Sequence, residues 1–109
     1  VKHNLDDLHN SGSDHLHEFY HLIKVNQHQF YDEVRSLVEH WKEVSANDIK
    51  ELDDLHLNFY RAENDELQKV VRDSKHRDMD MPSLLNMLRE INNSNEAILY
   101  SLQLRLGIA

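Results

Sequence analysis

The chain contains no cysteine, and it has only two glycines and one proline among its 109 residues. Without cysteine it has no disulfide, no thiolate nucleophile and no thiolate ligand for zinc. Three turn-forming residues are not enough for the hairpins of a β-sheet fold. No apolar run approaches the ~20 residues of a membrane-spanning helix. These absences favour an all-α protein, and the lack of cysteine suits a reducing, cytoplasmic location.

The charge that is present is mainly acidic, with 20 aspartates and glutamates against 12 lysines and arginines, a formal net charge of −8. Such a surface repels a phosphate backbone, so we do not expect nucleic acid as a partner. The nine histidines would offset this whole charge if all were protonated. The surface charge therefore changes strongly between roughly pH 7.5 and 5.

Apolar residues recur every three or four positions in three long segments, the pattern of an amphipathic helix. This spacing predicts helices over residues 14–44, 48–76 and 82–106. The short polar break between the first two forces them to run antiparallel. We predict an elongated antiparallel up-down-up three-helix bundle over residues 13–109, preceded by a linker or frayed stretch at 1–12.

A stretch reading HEFYH matches the zinc-protease pattern H-E-x-x-H. On a helix, His17 and His21 lie one turn apart and can bind one zinc, with Glu18 as general base. The longer form of the pattern requires a glycine and a third histidine where this chain has Lys24 and Gln27. No strand is predicted that could hold an extended peptide. We therefore expect no peptidase, and no other set of residues indicates an enzyme.

A phosphotransfer domain is an alternative interpretation of the same histidine. Such domains are helical bundles in which an exposed histidine is followed three residues later by lysine and then by glycine. His21 and Lys24 have that spacing, but Val25 replaces the glycine that gives the phosphorylated ring its room. A fourth helix is also missing from the predicted bundle.

Histidines and aspartates share one flank of the first helix. At ~100° per residue, His17, His21 and His28 project together, with Asp14 and Asp32 on the same line. Imidazole and carboxylate groups are ligands for divalent metals, so this flank predicts a weak metal site at Asp14, His17, His21 and His28. The alternative is a solvated face without a ligand, and no other cofactor is expected.

Polar residues also interrupt the apolar stripes, at Gln27, Glu63 and Asn95. Folding the chain at its two connections brings these three positions to the same height, so we predict one polar layer in the core. A buried carboxylate requires hydrogen bonds, water or a cation to be tolerated. The layer then either fixes the register of the helices or binds a ligand or metal.

Further side chains are expected in the core on the same helical projection. Phe19 and Tyr20, the two variable letters of HEFYH, are predicted to point inward. His56 projects close to the stripe of the second helix, near the level of Leu37 and Leu102, as a hydrogen-bonded core histidine.

The hairpin of long helices followed by PSLLNMLREINNSNEAILYSL, residues 82–102, resembles the PhoU family of phosphate-uptake regulators and related domains at the cytosolic C-terminus of bacterial sodium/phosphate cotransporters. In that family a closing segment L-x-x-L-x-R-I-x-D-H-A recurs, and Asn95 and Glu96 stand where it has aspartate and histidine. Its metal sites use repeated E/D-x-x-x-D pairs, of which the second and third helices contain no clean copy.

The resemblance implies a non-enzymatic cytosolic regulatory domain, attached to or acting on a sodium/phosphate transporter. Its partner would be the transporter's membrane domain or another copy of itself. Two alternatives remain from the residues themselves: a free-standing helical scaffold or oligomerisation module without ligand, and a bundle that responds to a weakly bound divalent metal.

Overall fold

The computed structural model describes the backbone of residues 12–73 and 81–108, and the side chains of residues 15–72 and 81–108. The described residues form three α-helices and a short 3₁₀ turn in the order α1 Gly12–Glu39, Trp41–Glu43, α2 Ala46–Asp73 and α3 Met81–Leu106. The predicted all-α, up-down-up bundle is confirmed. It is elongated, measuring 53 × 26 × 16 Å. The predicted linker at 1–12 falls outside the described residues except for Gly12. The predicted end of the second helix, at residue 76, also falls outside them.

The first helix is shorter than the predicted 14–44, because it ends at Glu39. The backbone N–H of His40 is shared between the carbonyls of Ser36 and Leu37, each 3.2 Å away. The His40 ring also contacts the Ser36 carbonyl through Nδ1, at 3.0 Å. His40 leaves helical geometry, with φ −116° and ψ 34°. The apolar spacing continues through Trp41, but the backbone does not.

The second helix begins at Ala46, two residues before the predicted start, because Ser45 and Asp48 cap it reciprocally. The Asp48 carboxylate accepts the Ser45 backbone N–H at 2.9 Å. Ser45 Oγ in turn accepts the Asp48 backbone N–H at 3.4 Å. This is a capping box, which satisfies two N–H groups that the first turn of a helix leaves unpaired.

The third helix has the two terminal residues that the sequence indicated. Pro82 occupies its first turn, where no backbone N–H donor is needed. Gly107 follows its end with φ +81°, in the left-handed region. The N–H of Gly107 donates to Leu104 at 3.1 Å and that of Ile108 to Gln103 at 3.0 Å. These two bonds form a Schellman cap.

Buried apolar side chains form two clusters, one toward each end of the bundle. The first cluster consists of Phe19, Ile23, Leu67, Val70, Leu84 and Leu88. The second consists of Phe30, Ile49, Leu52, Leu99 and Leu102. Each large side chain buried in this way contributes about 1.5–3 kcal/mol. The helix segments between the two clusters carry polar side chains instead.

The buried face of α1 is rotated from the predicted one, and the prediction that Tyr20 points inward is wrong. Counted from Leu16 at about 100° per residue, the buried Phe19, Asn26 and Phe30 lie at about 280–320°. Tyr20 and Val38 both lie at about 40°, and they are 46% and 56% exposed. The buried face therefore lies about 40° from the predicted one, and including these two exposed residues in the predicted stripe accounts for part of that displacement.

Candidate functional site

A belt of polar side chains crosses the middle of the bundle, between the two apolar clusters. We call it the polar belt, and it contains residues from all three helices: Asn26, Gln27, His56, Glu63, Asn92 and Asn95. Four of its members are at least 95% buried, namely Asn26, His56, Glu63 and Asn95. Side-chain hydrogen bonds join its members in two groups.

The first group connects all three helices through Asn95. Its Nδ2 donates to Gln27 Oε1 at 2.7 Å, and Gln27 Nε2 donates back to Asn95 Oδ1 at 3.1 Å. The same Nδ2 lies 3.5 Å from His56 Nδ1. An amide nitrogen carries two hydrogens, so Asn95 can serve both partners.

Asn92 determines which nitrogen of the His56 ring carries the proton. Asn92 Nδ2 donates to Glu96 Oε1 at 3.2 Å, which directs its Oδ1 toward the ring. That oxygen lies 2.8 Å from His56 Nε2. Because an amide oxygen only accepts, Nε2 carries the hydrogen and Nδ1 accepts from Asn95. His56 is therefore a core histidine whose two nitrogens both have partners.

The contacts of His56 show that its predicted position along the bundle axis is wrong. Its ring lies 5.8 Å from that of Phe30 and stacks at 6.5 Å on Tyr60, measured between ring centroids. It therefore lies in the polar belt and not at the level of Leu37 and Leu102. The prediction assumed that each connection folds the chain symmetrically, and the helices are offset along their axes.

The second group joins α1 to α2 through Asn26 and Glu63. Asn26 Nδ2 donates to Glu63 Oε2 at 2.9 Å. Burial raises the pKa of the Glu63 carboxyl above 4.5, and the hydrogen bond from Asn26 acts in the opposite direction without cancelling it. A neutral glutamic acid and an amide can share the core without an unpaired charge.

The structure brings two of the three predicted layer residues together, Gln27 and Asn95, and places Glu63 against Asn26. The prediction missed Asn26 and Asn92. Asn26 could have been found from its spacing, because it follows Ile23 by three residues and precedes Phe30 by four, both of them buried. No sequence signal indicated that Asn92 would reach across to α2.

The histidine flank of α1 is exposed at His17, His21 and His28. His28 Nε2 lies 3.4 Å from the Asp32 carboxylate, in an exposed contact between side chains one helical turn apart. The side chain of Asp14 falls outside those that the structure describes. The metal site on this flank stays a prediction. In HEFYH the buried residue is Phe19, while Tyr20 and Glu18 are exposed.

Another group of ligand types lies where α1 begins and α2 approaches its end. His15 Nδ1 is 3.6 Å from Glu66 Oε1 and 3.8 Å from Glu18 Oε2. The three ligand atoms all lie within 4.8 Å of one another. We call this group the His15 cluster, and it shares no member with the predicted metal set. His15 and Glu18 are three residues apart, but nothing in the sequence indicated that Glu66 would join them.

One line of exposed residues on the side of α3 that faces away from the bundle, from Asn93 to Leu104, contains no charged side chain. Asn93, Ala97, Tyr100 and Leu104 lie along it at three- and four-residue intervals, and all are exposed. Tyr100 and Leu104 are 57% and 53% exposed. We call these four residues the outer α3 face. α3 therefore exposes large apolar side chains on the side opposite its buried face.

No protein-family model, curated protein or solved structure matches the chain. None of the helices described has an apolar stretch that would be sufficient to cross a lipid bilayer. Three features of the described side chains bear on function: the polar belt, the His15 cluster and the outer α3 face.

Proposed function

We propose that the chain is a non-enzymatic helical interaction domain that associates with a second copy through the outer α3 face. The observation that carries the proposal is the uncharged, half-exposed pair Tyr100 and Leu104 in a chain with a net charge of −8. Single exposed apolar residues are normal on a protein surface. An aligned set without intervening charge is typical of a helix that packs against another.

The outer α3 face is complementary to itself when two α3 helices run antiparallel. A twofold axis placed between residues 98 and 99 sets Tyr100 of one copy opposite Ala97 of the other, a large side chain against a small one. The same arrangement sets Leu104 opposite Asn93. A symmetric pair uses the same patch on both copies, so each such contact forms twice.

Charges beside the outer α3 face favour the same arrangement. Glu90 and Arg105 are exposed and flank the face on one side. In the antiparallel pair, Glu90 of each copy lies about 3 Å along the helix axis from the level of Arg105 in the other. Opposite charges at the rim favour this orientation over a parallel one, in which Glu90 of one copy and Arg105 of the other would lie on opposite sides of the interface.

The affinity of such a pair should be modest. Each copy contributes a single helix face, so the buried area falls below the roughly 1,200 Å² of a standard interface. Association is then expected only at micromolar or higher concentration, as in transient regulatory contacts. This suits a domain whose assembly depends on a tethered or locally concentrated parent protein.

The resemblance to PhoU-like domains suggests a narrower form of this proposal, a cytoplasmic regulatory domain on a sodium/phosphate transporter. Three long helices in up-down-up order support it at the level of architecture. Asn95, at the position of the family's aspartate, is hydrogen-bonded to Gln27 in the core. In this narrower form, regulation therefore acts through helix contacts without the family's metal ligands at that position.

Sedimentation equilibrium over a range of protein concentrations tests the proposal. We expect a monomer–dimer equilibrium for the wild type and a monomer for Tyr100→Glu. Val25→Glu is the matched control, because Val25 is similarly exposed, at 46%, on α1. It should leave the dimerisation constant unchanged.

Charge exchange tests the orientation of the pair. Arg105→Glu should weaken association, and the double variant Glu90→Arg with Arg105→Glu should restore it. A wild type that stays monomeric at millimolar concentration would refute self-association. Association that is unaffected by Tyr100→Glu would place the interface elsewhere and equally overturn the proposal.

A further inference from the structure

We infer that the His15 cluster binds a divalent transition-metal ion, of which zinc is the best match, and that the ion joins the start of α1 to α2. The ligands would be His15 Nδ1, one oxygen of Glu18 and Glu66 Oε1. The inference is independent of self-association, because the cluster and the outer α3 face lie toward opposite ends of the bundle.

The geometry of the cluster needs only small adjustments to hold such an ion. Ligand atoms at about 2.0–2.1 Å from a tetrahedral zinc lie about 3.3 Å from one another. His15 Nδ1 is already 3.6 Å and 3.8 Å from the two carboxylates. The widest separation in the cluster, within 4.8 Å, can close because the Glu18 side chain is 65% exposed and free to change rotamer.

Glu66 provides a second observation that indicates a ligand. Its side chain is only 14% exposed. Its Oε2 lies 3.6 Å from Lys69 Nζ, whereas its Oε1 is shielded from solvent and accepts no hydrogen bond within the described part of the chain. A carboxylate oxygen in such surroundings normally has a donor or a cation. A metal at the cluster would supply that cation on the side opposite Lys69.

The ligand types determine which ions fit. One imidazole nitrogen and two carboxylate oxygens suit zinc and its divalent first-row neighbours. Calcium and magnesium prefer ligand sets made of oxygen alone. Three protein ligands leave a fourth position of a tetrahedral ion for water. Because the ligands come from α1 and α2, we assign the ion a structural role, linking the two helices.

Zinc titration by calorimetry, with thermal unfolding followed in parallel, tests this inference on the full chain. We expect one zinc per chain and a melting temperature that rises with zinc concentration, because the ion binds only the folded arrangement. Calcium and magnesium should leave the melting temperature unchanged. Cobalt should produce the visible absorption of a four-coordinate histidine–carboxylate site.

Glu66→Gln and His15→Gln should each abolish the zinc-dependent shift and the cobalt absorption. The matched control is the double variant His21→Gln with His28→Gln, which removes two exposed histidines of the flank and should retain both signals. Circular dichroism without metal establishes that each variant is folded. A wild type without a zinc-dependent shift, or zinc binding that persists in Glu66→Gln, would overturn the inference.

Binding that is lost only in the double flank variant would overturn it as well, and would support the predicted metal site at His21 and His28 instead. Because the proposed association through the outer α3 face does not involve these side chains, the sedimentation result expected for Tyr100→Glu is the same under either outcome.

Discussion

Asn95 and Gln27 join α3 to α1 by exchanging two hydrogen bonds between their side-chain amides, at 2.7 and 3.1 Å. The two helices each pack mainly against α2. The amide pair is therefore a specific polar contact between the two helices that approach each other least closely. Its position between the two apolar clusters means that a shifted register would leave both amides without partners, which penalises such a shift.

Replacing Asn95 with leucine should leave Gln27 without its partner and remove the contact to His56. We expect the free energy of unfolding to fall by about 1–3 kcal/mol, the usual cost of a buried polar group left unsatisfied. Urea unfolding followed by circular dichroism measures this. The helical signal at zero denaturant should remain, because no backbone hydrogen bond is lost.

The double variant Gln27→Leu with Asn95→Leu is the control for this prediction. It removes both amides, so it should be more stable than the sum of the single changes implies, by more than about 0.5 kcal/mol. Single effects that simply add would show that the two residues do not act as a pair.

Replacing Glu63 with glutamine should change how stability depends on pH. Burial raises the pKa of the Glu63 carboxyl in the folded state. The folded protein thus holds this proton more tightly than the unfolded chain does. The contribution of the protonated Glu63 carboxyl to the free energy of unfolding is fully present below the pKa that this group has in the unfolded chain. It is lost as pH rises through the higher pKa of the folded state. Glutamine remains neutral, so the variant should be more stable than the wild type near neutral pH.

The two proteins should approach equal stability as pH falls below about 4, where Glu63 becomes protonated in both states. Thermal unfolding at a series of pH values measures this convergence. Glu33→Gln is the matched control, because it removes the same charge from an exposed position on α1. Stability curves for Glu63→Gln and wild type that run parallel at all pH values would contradict the prediction.

Alanine at Phe19 and at Tyr20 should have very different effects, although the two residues are adjacent. Phe19 is completely buried, and its loss should cost about 3–5 kcal/mol of unfolding free energy. Tyr20 is 46% exposed, and its replacement should cost less than about 1 kcal/mol. Chemical denaturation of the two variants measures the difference. Equal losses would restore the sequence-based prediction that both point inward.

Apolar periodicity was sufficient to predict three helices and their order, because the spacing of buried residues repeats through each helix. It did not predict where α1 stops, since that depends on His40 leaving helical geometry while Trp41 continues the pattern. Nor could it separate the buried Asn26 from its neighbour Gln27. One residue rotates the side chain by about 100°, and the predicted stripe was displaced by about 40°.

The sites between helices were harder to predict for a different physical reason. The contact of Glu63 with Asn26 and that of Glu66 with His15 both depend on the axial displacement of α2 relative to α1. A polar side chain gives no periodic signal of that displacement. Sequence reasoning identified Gln27, Glu63 and Asn95 as core residues from interrupted stripes, but which partner each one meets required the relative placement of the helices.

Replacing Gly107 with alanine should destabilise the end of α3. Gly107 has a φ of +81°, and a Cβ added there would meet nothing within 4 Å. The cost is therefore conformational, about 1–2 kcal/mol for a residue with a Cβ in the left-handed region. Asparagine tolerates this region better, so Gly107→Asn should lose less. Amide hydrogen exchange at Gln103 and Leu104 reports fraying of this end directly. Unchanged exchange in Gly107→Ala would show that the Schellman cap adds nothing to the stability of the last turn.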